Sequence, residues 1–368
     1  MILNHTETML FSLLRTALWE HPANTTLFIS VTAEEWNKCM CLAIQHGVQA
    51  FVFDGAMTLP VSLQPPRKLK LAWAANVSGI EKNYERMQHA ASRLKEFYES
   101  HGLKLMLMKG IGLAADYPIP RHRECGDLDI WLFGKYKEGN QFMTQQGIHI
   151  DLHNPKHSCF YFKGVLVENH CTFLNVKQFK TDRYLEMALQ NTLSENTCGT
   201  LPLPGDNSLL LPPAMFSAIF LARHMCMHFV NGIVLRQLCD WALFLYKHHG
   251  EYDKEKLSVL LDDVGLLSVM QSFTLSAIEY LGLPPEYSPF PTSQNINLKE
   301  RLFRDIMHPH YSTPPVNKNP FRIIAFKWKR LMANRWKYEL IQKESFFRQL
   351  GKSMIFHLLH PNTILKMK

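Results

Sequence analysis

The sequence predicts an α+β protein: a small mixed sheet core embedded in a mainly helical chain. Three observations predict it. Long stretches on both sides of the middle of the chain repeat apolar residues at helical spacing. Between them, over residues 103–173, the pattern changes to short apolar runs bounded by turn residues. The 368 residues, 46% of them hydrophobic, suffice for a packed core shared by two or three subdomains and exclude a disordered chain.

The elements follow in order. Leu10, Leu13, Leu14, Ala17 and Leu18 make one apolar helix face within residues 1–20. Thr32 with Glu35 three residues later is a capping box, so a second helix is predicted over 32–48, ended by Gly47. Residues 66–100 read as one long amphipathic helix, which makes 1–100 a helical subdomain. Residues 103–108 (LKLMLM) suit a buried strand, followed by Lys109-Gly110 and a helix-like IGLAADY that stops at Pro118. A loop over 121–126 leads into a second strand, DLDIWLF, at 127–133. Residues 160–173 read as a hairpin turning at Lys163-Gly164. The sheet core is thus placed at 101–180. Residues 182–210 are mixed, with Pro202, Pro204, Gly205 and Asp206 read as loop. Helical period returns over 213–249, broken near Asn231-Gly232, and again over 254–283, so 181–300 is predicted to be a helical subdomain closing a cleft. Proline-rich stretches at 284–291 and 314–320 read as linkers, and 301–368 as a basic, aromatic C-terminal segment.

The formal net charge of +8 favours phosphorylated or polyanionic partners. The cysteines Cys39, Cys41, Cys125, Cys159, Cys171, Cys198, Cys226 and Cys239 form no CxxC pair and read as reduced thiols. The first twenty residues lack the basic start, long apolar run and small-residue site of a signal peptide, and no apolar stretch is long enough to span a bilayer. These features predict a cytoplasmic protein.

The chemistry concentrates around Asp127 and Asp129. On a strand, residues i and i+2 project to one side, so the two carboxylates stand together and repel unless a cation lies between them. A hard divalent ion, Mg²⁺ or Mn²⁺, with oxygen ligands answers that need and commonly joins carboxylates to substrate phosphates. Glu168, on the neighbouring hairpin, is the predicted third carboxylate, with His170 on its face as an accessory. Gly110 would let the backbone approach a phosphate, Lys109 adds a point charge, and Arg121 and Arg123 in the following loop add two more.

The order of these pieces carries a resemblance. MKGIGLAADYPIPRHRECGDLDIWL is similar to the core signature of a bacterial family of uncharacterised nucleotidyltransferases within the DNA polymerase β-like superfamily. The similarity continues at Val167-Glu168-Asn169-His170, His224, His228 and the stretch from Arg236 to Trp241, and covers roughly residues 95–250. It implies a nucleotidyltransferase-type sheet core and metal-dependent transfer of a nucleoside monophosphate from an NTP to an acceptor it does not identify. Asp127, Asp129 and Glu168 would be the catalytic metal ligands. Lys109-Gly110 stands where many superfamily members have a glycine–serine pair whose serine binds phosphate. A catalytically silent nucleotide-binding module is therefore the alternative.

His224 and His228 are i, i+4 on one helix face, a spacing that suits packing or an accessory role over the nucleotide. Arg236 and Asp240 share that spacing, either as a helix ion pair or as nucleotide contacts. In 321–368, Arg322, Lys327, Lys329, Arg330, Arg335 and Lys337 alternate with Phe326, Trp328 and Trp336, a mixture suited to an anionic membrane surface or nucleic acid. Peripheral contact with the inner membrane face, or an adaptor role through this segment, is the remaining expectation.

Overall fold

Local capping sets the first helices. Helix α1 (His5–Trp19) starts at Asn4, which accepts from the Glu7 N–H at 3.0 Å while its own N–H donates to Glu7 Oε2 at 2.9 Å. Helix α2 (Ala33–Gln45) starts on the Thr32–Glu35 box that the sequence predicts. In this computed structural model, residues 2–203, 207–291, 295–309, 319–342 and 351 are described. Helix α3 (Gln49–Met57) crosses α1 so closely that a Cβ on Gly55 would lie 2.2 Å from the Leu13 carbonyl oxygen, which admits only glycine there. Helix α4 (Arg67–Ser100) is the predicted long helix.

The sheet has six strands: β1 (Met106–Leu107), β2 (Asp127–Trp131), β3 (His157–Phe162), β4 (Val165–His170), β5 (Gly199–Leu203) and β6 (Asn207–Leu211). They lie in the order β3-β4-β2-β1-β6-β5. Strands β2 and β4 run parallel, as do β1 and β6, and the remaining pairs are antiparallel. The fold is α+β, as the sequence predicts. The hairpin turns at Lys163 and Gly164, whose φ angles of 49° and 75° match the twist of a two-residue connection.

Three local expectations need correction. The first strand is two residues long, not six. The helix after Lys109-Gly110, α5 (Ile111–Ala114), is a single turn. Residues 199–203 and 207–211, read as mixed and loop, form β5 and β6 beside β1. Leu201, Leu203 and Leu209 are buried there, and Pro202 is tolerated because β5 is an edge strand. Helix α6 (Tyr136–Gln145) follows β2, and helix α7 (Lys180–Glu195) precedes β5.

The sheet separates two apolar clusters. Leu128, Ile130, Phe160, Val165 and Val167 pack with Met87, Leu94 and Tyr98 from the second half of α4. The first half of α4, through Trp73 and Val77, belongs instead to the helical cluster. That cluster includes α8 (Ala214–Asn231), α9 (Leu235–Lys247), α10 (Lys254–Asp263), α11 (Leu267–Ser276), with its single π turn to Leu281, and α12 (Ile296–Met307). Trp131 of β2 touches Phe173 (ring centroids 4.2 Å), which meets Phe216 of α8 (4.7 Å). The face of β2 that carries Asp127, Asp129 and Trp131 is therefore turned toward α8.

Helices α13 (Pro320–Ala333) and α14 (Arg335–Gln342) follow. In α14, Trp336 lies under the Arg301 guanidinium at 3.9 Å and meets Phe229 of α8, while Lys337 is buried in an ion pair with Asp305. Part of the basic, aromatic C-terminal pattern thus serves internal packing. The predicted linker at 314–320 and the C-terminal segment beyond Gln342 lie, apart from residues 319, 320 and 351, outside the described residues. Among the described residues no helix is long and apolar enough to cross a membrane.

Candidate active site

Register brings the carboxylates together. The parallel pairing of β2 with β4 sets Asp129 beside Glu168, Asp127 beside Leu166 and Trp131 beside His170. Alternation then puts Asp127, Asp129, Glu168 and His170 on the α8-facing side. Asp129, Glu168 and His170 each present a ligand atom within 4.8 Å of the other two. Lys109, just after β1, reaches across to the same point, with Nζ 2.9 Å from Asp129 Oδ2 and 3.7 Å from Asp127 Oδ2. Asp129 and His170 are fully buried, whereas the side chain of Asp127 keeps 31% of its surface exposed.

The two aspartates differ electrostatically. Burial favours a neutral Asp129, but Lys109 and His170 overcome it and hold the carboxyl well below the ordinary range. Burial and the neighbouring Asp129 charge instead raise Asp127. Burial also opposes charge on Lys109, and the two aspartates reverse that, so the ammonium is held charged. His170 Nδ1 lies 3.1 Å from the Thr172 carbonyl, which can only accept, so Nδ1 carries a proton. Nε2 is then the atom turned to the carboxylates, 3.0 Å from Asp129 Oδ1 and 3.7 Å from Glu168 Oε2.

Glycine at 110 is required by the close approach of two segments. It sits at φ 70°, and a Cβ there would lie 3.1 Å from the Asp127 carbonyl oxygen. Its own carbonyl accepts from Arg123 Nη1 at 3.1 Å. The helix that follows is one turn long, so it offers no extended helix N-terminus to a phosphate.

The remaining expected residues divide. Arg121 turns outward to Glu81 at 2.7 Å. Arg123 is buried and forks onto Asp240, with Nε–Oδ1 at 2.7 Å and Nη2–Oδ2 at 2.8 Å, and Tyr117 donates to the same Oδ1 at 2.6 Å. Burial opposes ionisation of Asp240, but Arg123 keeps the carboxyl below its usual range. Arg236 donates to the Glu124 carbonyl at 3.0 Å. Arg121, Arg123, Arg236 and Asp240, each expected to touch nucleotide, are thus engaged with other parts of the protein; Arg123 and Asp240 buttress the loop entering β2. The rings of His224 and His228 of α8 lie 4.3 Å apart between centroids, tilted by 57°. Burial and the Lys109 charge depress His224.

Sequence reasoning missed Lys156 and His157. Burial lowers Lys156, and the Asp129 charge opposes that shift. His157 Nε2 lies 3.4 Å from Glu168 Oε2. The signal was available: a two-residue turn at Lys163-Gly164 pairs Phe162 with Val165, and counting back sets Cys159 opposite Glu168 and His157 opposite His170.

Comparison with known proteins decides the family. The family model described as "Uncharacterised nucleotidyltransferase" matches residues 32–282, more than half of the chain. The chain belongs to this uncharacterised nucleotidyltransferase family. No curated protein and no solved structure matches it. The match covers every residue of the site described above, together with the helices that frame it.

Proposed function

We propose that this nucleotidyltransferase-family protein transfers a nucleoside monophosphate from an NTP to an as yet unidentified acceptor at the Asp127–Asp129–Glu168 cluster, with Mg²⁺ or Mn²⁺. The observation that carries the reading is the β2–β4 register, which lines up Asp129 with Glu168 on the face that also bears Asp127.

The donor set fits a hard divalent ion. Asp129 Oδ2 is buried, and the Lys109 ammonium at 2.9 Å is the cation that holds it in the free protein. Asp127, Asp129 and Glu168 would hold the ion, with His170 Nε2 as a further donor. When bound, such an ion supplies positive charge to the triphosphate and to the departing pyrophosphate. Asp127 is half-buried and the least covered of the three carboxylates, which places it to take the proton of an acceptor hydroxyl. In the free protein Lys109 neutralises the aspartates; with nucleotide bound, its ammonium is placed to swing to a phosphate oxygen, the task a serine performs in related sites. His224 and His228 of α8 would serve as accessory contacts. Arg123 and Asp240 hold the loop that aims β2.

The test is pyrophosphate release from each of ATP, CTP, GTP and UTP with Mg²⁺, in a cell extract that supplies acceptors. Asp127→Asn and Asp129→Asn should each lower the rate by about 10²-fold or more while remaining folded. Unchanged turnover in both variants would remove the assignment.

A further inference from the structure

The hairpin carries two donors that the proposed reaction does not use, His157 and Cys159, beside Glu168, which it does. The backbone N–H and C=O of Cys159 bond to Asp151, at 2.9 and 2.8 Å. Toward β4, Cys159 and Glu168 are therefore a non-hydrogen-bonded cross-strand pair, the kind whose side chains stand closest. His157, two residues along β3, projects to the same face. Its Nδ1 is 3.3 Å from Cys159 Sγ, and its Nε2 is 3.4 Å from Glu168 Oε2. One donor atom from each of the three residues lies within 4.8 Å of the other two. In a tetrahedral zinc site, a thiolate sulfur and an imidazole nitrogen stand about 3.5 Å apart, close to the spacing found here.

The ring is also held from outside. Asn154 Oδ1 accepts from the Lys156 N–H at 3.0 Å, which orients the amide so that Nδ2 donates to His157 Nε2 at 2.8 Å. Nδ1 then carries the ring proton and faces the thiol; an ion bound there moves that proton to Nε2, and the Asn154 amide turns its Oδ1 to accept it. A thiolate, an imidazole and a carboxylate together suit a zinc-class ion and are a poor set for Mg²⁺, which prefers oxygen.

We propose that His157, Cys159 and Glu168 form a second cation site for a zinc-class ion, joined to the Asp129 cluster through the shared Glu168. On binding, the ion replaces the thiol proton of Cys159, which is released to solvent. Three protein donors leave one of four positions open to water. An ion held there would fix the Glu168 carboxylate, so occupation of one cluster alters the other. The site does not require nucleotidyl transfer to take place.

The experiment adds Co²⁺ to the full-length, reduced protein and records absorption. A sulfur-to-cobalt charge-transfer band should appear and saturate at one equivalent, together with the strong visible bands of a four-coordinate ion. Zn²⁺ should abolish both, and excess Mg²⁺ should leave them. The charge-transfer band should vanish in Cys159→Ser and persist in Cys171→Ser and Asp127→Asn. No band at one equivalent, or a band that survives Cys159→Ser, would overturn the site. Visible bands that appear without the charge-transfer band and vanish in Asp127→Asn would put the ion in the Asp129 cluster and overturn it as well. Should Cys159→Ser fail to fold, maleimide labelling of Cys159 in the unaltered chain decides the matter. Zn²⁺ should slow it at least tenfold, and an unchanged rate counts against the proposal. The band is expected even in a protein that releases no pyrophosphate, so failure of the catalytic reading and failure of this one are separable.

Discussion

Two buried ion clusters flank Gly110, and they are built to opposite rules. In the first, Arg123 places Nε and Nη2 on Asp240 and Nη1 on the Gly110 carbonyl, while Tyr117 donates to Asp240. The geometry is bidentate and the neighbouring groups complete it. In the second, Lys109 divides one ammonium between Asp127 and Asp129, and Glu168 and His170 crowd the same point. A point charge shared between two carboxylates can be displaced by another cation, whereas a forked guanidinium cannot leave without stranding a buried charge. The first cluster holds shape, and the second is free to exchange partners.

The contrast can be broken most sharply at Asp240. Asp240→Asn should cost about 3–5 kcal/mol of stability in urea unfolding, because Arg123 keeps its charge without a counterion. Replacing both partners with apolar residues (Arg123→Met with Asp240→Leu) should recover much of the loss. A single-variant loss under about 1 kcal/mol would mean that the pair is not structural. Lys109→Met probes the other cluster. Without divalent ions it should lose about 1–2 kcal/mol to repulsion between the aspartates. Added Mg²⁺ should raise its melting temperature more than that of the parent chain, since the competing ammonium is gone. Equal Mg²⁺ responses would argue against a shared position for ammonium and metal.

A third cluster lies between these extremes. His248 Nε2 is 2.9 Å from Asp116 and Nδ1 is 2.7 Å from Glu251. Burial opposes its protonation, but these carboxylates raise its pKa to about 9. A pKa raised in the folded state stabilises fully below the unfolded value of about 6.5 and is lost as pH climbs through the folded value. Stability should therefore fall between about pH 6.5 and 9, by about 1–2 kcal/mol after allowance for solvent, and His248→Asn should flatten that slope. The smallest effect belongs to Arg121. Its pairing with Glu81 is exposed, and Arg121→Ala should change stability by no more than about 0.5 kcal/mol.

The same comparison explains what could be read in the sequence. Thr32–Glu35 and Lys163-Gly164 are local devices, complete within four residues, and the structure has both where the sequence reading puts them. The pairing of Asp129 with Glu168 was accessible because a strand and a hairpin close in sequence have few ways to meet. Arg123 and Asp240 are 117 residues apart, and nothing local announces their contact. The edge strand β5 is obscured by its own Pro202, which only an edge position permits. His157 and Cys159 are legible too: the predicted hairpin begins at Phe160, whereas β3 begins three residues earlier.

Helix α4 contributes Trp73 to one apolar cluster and Leu94 to the other. Like a beam set into two walls, it obliges both rooms to stand or fall together. A fragment ended at Ser100 would keep the Tyr84–Tyr98 face of that helix with no sheet to cover it, and a fragment begun there would leave the apolar side of the sheet open to water. Experiments that divide this chain should therefore cut outside the pair of clusters, and the charged face of β2 should be studied with the beam in place.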